Sequence, residues 1–281
     1  MVDRIKKVRL KIFRYNPKTE SQTIKPKYDT FELDLRPGLT VLGSLFQVQD
    51  RFDDTLSFRY SCRGAVCGTC AMLINRLPRL ACRTQVANLL ETNNSINTAN
   101  NKDLVITPTF EHANEVTWDP KQEILIEPLP NLKVIKDLVV DMGKFFKQYR
   151  KIKPILEAAT ALAEQEHLME PAVVTELENY TNCILCAACF GACPVNREQP
   201  DYLGPAALAK LYRFHIDTRN KDRDGKLKLA NDPSGWWGCN FHLNCKQVCP
   251  KGVQPNLAIG RARKRIKDLG WINNKKIATH G

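Results

Sequence analysis

This chain of 281 residues lacks several things, and each absence narrows its function. No stretch approaches the roughly 18 consecutive apolar residues of a membrane-spanning helix, so no span is expected. The start, MVDRIKKVRL, runs straight into an alternating strand pattern, and neither a signal peptide nor a transit peptide is expected. The eleven cysteines are odd in number and cannot all pair, which argues against a disulfide framework. A reducing compartment, bacterial or archaeal cytosol, is the expectation that follows. A groove of basic and aromatic residues is also missing, which weighs against nucleic acid despite a net charge of +12. Lys and Arg are scattered apart from a denser tail at Arg261–Lys267, as on an ordinary solvated surface.

The cysteines that are present fall into three ordered groups with none left over. Cys62, Cys67 and Cys70 stand in SCRGAVCGTC, followed by Cys82 in LAC. Cys183, Cys186, Cys189 and Cys193 form CILCAACFGACP, and Cys239, Cys245 and Cys249 form CNFHLNCKQVCP. The first spacing, C-x4-C-x2-C…C, is that of plant-type [2Fe–2S] ferredoxins. A zinc site is the competing reading, but zinc ligands usually arrive as two C-x2-C-type pairs. Gly64 and Gly68 would let backbone N–H groups approach the sulfides.

The second group matches the bacterial run C-x2-C-x2-C-x3-C-P, whose fourth cysteine serves the other cluster of a pair. Aligned to that run, the third group offers Cys239, His242, Cys245 and Cys249. Crossing the ligands assigns Cys183, Cys186, Cys189 and Cys249 to a [4Fe–4S] cluster. The other cluster receives Cys193, Cys239 and Cys245, with His242 in the fourth slot. Three thiolates hold three irons, so [3Fe–4S] is expected. His242 either lies near that cluster or supplies a fourth ligand, since imidazole can bind iron.

Periodicity predicts a strand over 8–15, a second at Phe31–Leu35, and a helix capped by Thr40. A hairpin is expected from Ala71–Asn75 to Leu80–Cys82, and a strand at Glu123–Ile126. Residues 91–120 are polar and read as a surface excursion. From Met142 onward helices are expected at Lys144–Lys151, Ile155–His167, Pro171–Asn179, Pro205–His215 and Pro255–Leu269, with cysteine loops between them. Two domains follow, 1–141 and 142–281.

This order of motifs resembles the iron–sulfur subunit of succinate dehydrogenase and fumarate reductase, respiratory complex II. Further matching segments are FRYNP, LACRT, PLPNLKVIKDLVVDMGKFFKQYRKIKP and CPKGVQPNLAI. The resemblance implies an α+β chain, with a plant-type [2Fe–2S] ferredoxin (β-grasp) domain before an all-α bacterial-ferredoxin-like domain. It implies no catalytic residue of its own and a role in electron transfer through three clusters. The partners it implies are a flavoprotein subunit carrying FAD and a membrane-anchor cytochrome b subunit with haem b and a quinone. The implied location is peripheral, on the cytoplasmic face of the prokaryotic cell membrane.

The chain departs from the family pattern in three places. Residues 91–120 look like an insertion. Arg197 and Glu198 replace a tryptophan pair of the ubiquinone-reducing members, and Asn240 replaces a histidine after the first cysteine of the third group. These departures bring it nearer the menaquinone-linked, dihaem type. A ferredoxin-like module of a thiol-linked fumarate or heterodisulfide reductase is the alternative, although such systems bring extra cysteine-rich domains.

Overall fold

The computed structural model describes residues 7–17, 27–91, 106–109, 113, 115–159 and 166–272. The asparagine-rich stretch expected to form an excursion lies mostly outside these residues. The chain divides into two compact units, one of residues 1–142 with 186–192, the other of 143–185 with 193–281.

In the first unit, strand β1 (Lys7–Arg14) alternates as its sequence requires, with Val8, Leu10 and Ile12 fully buried. It pairs antiparallel with β2 (Lys27–Asp34), which begins earlier than the apolar pattern indicated because its first half is polar and lightly buried. Helix α1 (Val41–Arg51) starts where Thr40 accepts a 3.1 Å hydrogen bond from Gly43 N–H, and it buries Val41, Leu42, Leu45 and Val48. Strands β3 (Ala71–Ile74) and β4 (Leu77–Leu80) form the expected hairpin. Its two turn residues, Asn75 and Arg76, both take positive φ, as a right-twisting two-residue turn demands. A short helix α2 (Val86–Glu91) precedes β5 (Glu123–Glu127), whose Ile124, Leu125 and Ile126 are fully buried.

The sheet order is β2-β1-β5-β3-β4, with β5 parallel to β1 and the other pairings antiparallel. A small ribbon of β6 (Val134–Lys136) and β7 (Val139–Val140) follows. Between its strands, buried Asp137 accepts hydrogen bonds from Ser57 N–H at 2.9 Å and Tyr15 N–H at 3.0 Å, and pairs with Arg14. That carboxylate fixes the start of the first cysteine loop to the sheet.

The second unit is helical among its described residues, apart from an isolated bridge between Ala158 and Asn220. Helices α3 (Gly143–Lys151) and α4 (Pro171–Thr181) come first. The next, α5 (Ala188–Gly191), groups with the first unit. There Asn131 donates to the Phe190 and Gly191 carbonyls at 3.0 Å, and a Cβ on Gly191 would come within 3.1 Å of Leu129 Cγ. The chain then forms α6 (Pro194–Glu198), α7 (Pro205–Ile216), α8 (Arg223–Lys228), α9 (Asn244–Gln247) and α10 (Pro255–Asp268). Proline opens α4, α6, α7 and α10, where its missing N–H costs nothing. Helix α7 packs against α4, α8 and α10 around Tyr180, Leu208, Leu211, Trp236 and Ile259.

The helix expected over Ile155–His167 is corrected where it can be seen. Residues 155–159 and 166–167 are irregular, and 160–165 lie outside the described residues. Lys153, two residues before the expected start, takes a left-handed φ of 47°. The backbone then bonds across to another segment, with Ala159 N–H donating to Arg219 O and Lys221 N–H to Glu157 O. Ile155 is 65% exposed, so its apolar character marked no buried face.

Candidate iron–sulfur sites

The first cysteine loop follows α1 and turns back on itself through left-handed residues, Arg63 at φ 54°, Ala65 at 59° and Gly68 at 74°. Alternating handedness points successive N–H groups inward, the concavity proteins use for anions and for iron–sulfur clusters. Cys62 Sγ here accepts from the N–H groups of Gly64, Val66 and Cys67 at 3.3–3.4 Å. Cys67 Sγ lies 3.0 Å from the Thr69 hydroxyl.

The remaining thiols converge on the same place. Burial pushes Cys70 up to about 12, and the neighbouring Cys82 and Cys67 add to that shift. The Thr69 hydroxyl holds Cys67 down to about 6 against its own burial, with help from the Cys62 group. Cys82 is brought in by the turn after β4, where Ala81 N–H donates to Cys70 O at 3.1 Å. All four sequence-predicted residues are therefore neighbours. The guanidinium of Arg63 covers the rings of Phe46 and Tyr60, which flank the loop.

In the second unit, Cys183 has its thiol pushed up by burial and by the charge of Cys249, while Lys210 opposes the shift. The Cys183 thiol thus neighbours the last cysteine of the third group. Cys186 and Cys189 belong to the segment that groups with the first unit. Leu185 and Ala187, at φ 53° and 61°, give this loop the same alternating handedness as the first.

Cys193, Cys239 and Cys245 are brought together within the second unit. Burial pushes Cys193 up to about 11, with the Cys239 charge adding to it. Cys245 is pushed up to about 12 by burial, then by Cys239 and Cys193. Phe241 N–H donates to Cys239 Sγ at 3.4 Å, between the left-handed residues Phe241 and Leu243. His242, lying between those two residues, is exposed.

Three supporting residues escaped the sequence reading. Arg263 donates to the Trp236 and Cys239 carbonyls at 2.7 Å and lies over the rings of Phe241 and Trp237, pinning the third loop. Lys210 places a half-buried ammonium beside Cys183. Thr69 had a visible sequence signal, a hydroxyl two residues after a ligand cysteine. The other two join residues far apart in the chain, and no local pattern could reveal them.

The donor chemistry fits iron–sulfur clusters. No disulfide joins any of the eleven cysteines. Among the described residues, no three His, Cys, Asp or Glu side chains meet as ligands of one metal ion would. Thiolates of a cluster bind different irons and need not converge on one point. Iron binding requires deprotonated sulfur, so loading would displace protons from the thiols that burial has made weakly acidic.

Residues 9–147 match a family profile described as a 2Fe-2S iron-sulfur cluster binding domain, and residues 179–253 match a 4Fe-4S dicluster domain. The chain is 29% identical over 266 residues to the fumarate reductase iron-sulfur subunit of Haemophilus influenzae, covering 90% of this chain and 91% of that one. Its fold matches a chain of the Mycobacterium smegmatis Sdh1 complex in the apo form, with a TM-score of 0.75 at 20% identity, covering 95% and 98% of the two chains. A hypothetical protein from Helicobacter pylori shares the fold more loosely, with a TM-score of 0.52 at 16% identity over 93% of this chain and 40% of that one. No helix among the described residues is long and apolar enough to cross a membrane. With a 2Fe-2S domain and a 4Fe-4S dicluster domain in this order, the chain is an iron–sulfur protein similar along almost its whole length to the iron–sulfur subunit of a fumarate reductase.

Proposed function

We propose that this subunit connects an FAD-containing flavoprotein, where succinate and fumarate interconvert, to a quinone-reactive cytochrome b anchor carrying haem b. It does so on the cytoplasmic face of the cell membrane. Bound clusters supply one-electron relay along such a path, and the chain supplies everything that holds them. Cys62, Cys67, Cys70 and Cys82 hold [2Fe–2S]. Cys183, Cys186, Cys189 and Cys249 hold [4Fe–4S], while Cys193, Cys239 and Cys245 hold [3Fe–4S]. His242 stays beside that last site without ligating iron.

The observation that carries this reading is the crossing of sulfur neighbours in the second unit. Cys183 feels Cys249, whereas Cys193 feels Cys239 and Cys245. Two independent sites, each built from one run, would instead leave Cys193 with its own run and Cys249 with the third. Burial of Cys193 and Cys245 keeps water from the sulfur, and the N–H donors at Cys62 and Cys239 favour the more negative, reduced state.

The quinone side of the proposal leans on Arg197, Glu198 and Asn240. Arg197 and Glu198 are exposed on α6, and a charged pair there does not make the aromatic wall of a ubiquinone pocket. Menaquinone reached through a dihaem anchor fits these residues better. Purification from membranes tests the whole assignment. Co-isolation with a flavoprotein and a haem-containing subunit, with succinate–menaquinone activity, is the expected result. Isolation without either partner would overturn it.

A further inference from the structure

Tyr202 sits in the turn between α6 and α7, and its side chain is only 1% exposed. Its backbone is tied in place on both sides. Asn196 Nδ2 donates to Tyr202 O at 3.2 Å, Tyr202 N–H donates to Gln199 O at 3.2 Å, and Leu203 N–H donates to Ser234 O at 2.8 Å. Gly238 fixes where the ring can lie. A Cβ there would stand 2.9 Å from Tyr202 Cδ2 and 2.4 Å from Pro233 O, so only glycine lets the ring slide beneath the residue preceding Cys239.

The hydroxyl at the end of this ring is buried and has no hydrogen-bond partner, whether oxygen, nitrogen or sulfur of the protein. A buried hydroxyl without an acceptor is costly, and native structures rarely tolerate one without a reason. What surrounds it is sulfur. Cys239, Cys193 and Cys245 are the charged neighbours close enough to act on the phenol. For this unpartnered hydroxyl, sulfur of a bound cluster is the available acceptor. An apolar Phe would fill the same space, so packing alone does not account for the oxygen.

We infer that Tyr202 Oη donates a hydrogen bond to sulfur of the cluster held by Cys193, Cys239 and Cys245, and thereby raises that cluster's reduction potential. The inference rests on the three-cysteine reading above. A donor to sulfur stabilises the reduced cluster, which carries one more negative charge, over the oxidised one. Tyr202 touches no substrate and is a tuning residue.

The test uses the intact complex and follows the third cluster's EPR signal through a redox titration. Tyr202→Phe should keep the signal's intensity but lower the one-electron reduction constant about tenfold, a downward shift of about 59 mV. The other two midpoints should not move. Replacing Tyr202 with 3-fluorotyrosine keeps the ring and strengthens the donor, so the midpoint should move upward. A structural role alone would not give opposite signs. If Tyr202→Phe fails to assemble the cluster, the fluorotyrosine result decides by itself. An unmoved or lowered midpoint with fluorotyrosine overturns the inference and leaves the three-cysteine reading intact. Absence of any third-cluster signal in the unmodified complex overturns both.

Discussion

The first cysteine loop and the loops of the second unit hold sulfur by different means. The first is fastened to a five-stranded sheet by Asp137 and by the hairpin that delivers Cys82. Three N–H groups aimed at one sulfur, and a hydroxyl at another, shape it before iron arrives. The second unit offers Cys193 and Cys245 from a buried interior, and burial makes both thiols weakly acidic. Several of its helices have only four to six residues, below the length at which a helix persists alone. One site is built by the fold. The others sit among short helices that need something more to hold them.

The largest expected effect breaks this contrast at Cys249. Cys249→Ala should abolish the [4Fe–4S] signal while the [2Fe–2S] signal persists, and Cys193→Ala should abolish the third-cluster signal. Low-temperature EPR of each variant complex checks the pair. Loss of the [2Fe–2S] signal alone from Cys249→Ala would contradict the crossed assignment.

Next in size is the response to iron removal. In the metal-free chain, limited proteolysis should cut first within residues 143–281 while the sheet of the first unit stays protected. Equal cleavage of both units would erase the distinction drawn above.

A smaller effect concerns acidity. Cys67, held down to about 6 chiefly by the Thr69 hydroxyl, should be the first thiol alkylated in the metal-free chain at pH 7. The sign follows from the depressed value. The thiolate predominates above about pH 6, and reactivity is lost as pH falls through it. Cys70 and Cys245, pushed up to about 12, should stay unreactive until far higher pH. Thr69→Val should move the Cys67 midpoint upward, as mass spectrometry of alkylation against pH would record.

The smallest expected shift is at Lys210. Lys210→Met removes a cation beside Cys183 and should lower the [4Fe–4S] midpoint by less than the ~59 mV that marks a tenfold change. Only a redox titration would resolve it.

Much of this architecture is legible in the sequence because its signals are local. Val8, Leu10 and Ile12 alternate, Thr40 precedes an apolar helical stripe, and the cysteines announce themselves by spacing. The helix wrongly expected at Ile155 shows the limit of such reading. Apolar residues at helical spacing looked like a buried face, yet backbone bonds to Arg219 and Lys221 satisfied that segment instead. Helix α8 was missed for the opposite reason. Its cap at Asp222, accepting from Gly225 N–H at 2.8 Å, is a local signal, but six residues are too few for periodicity. Tyr202 and Arg263 lie beyond any such pattern, since their roles exist only once distant loops have met.

On the proposed assignment, Cys193, Cys239 and Cys245 hold a three-iron cluster, with His242 beside it. EPR of the oxidised complex, paired with an iron and acid-labile sulfide assay, tests it most directly. Oxidised [3Fe–4S] is paramagnetic, whereas an ordinary oxidised [4Fe–4S] cluster is diamagnetic. The expected result is an oxidised-state signal and about nine irons per chain in three clusters. About ten irons with no such signal would place a fourth iron at this site and make His242 its ligand; that result would contradict the account.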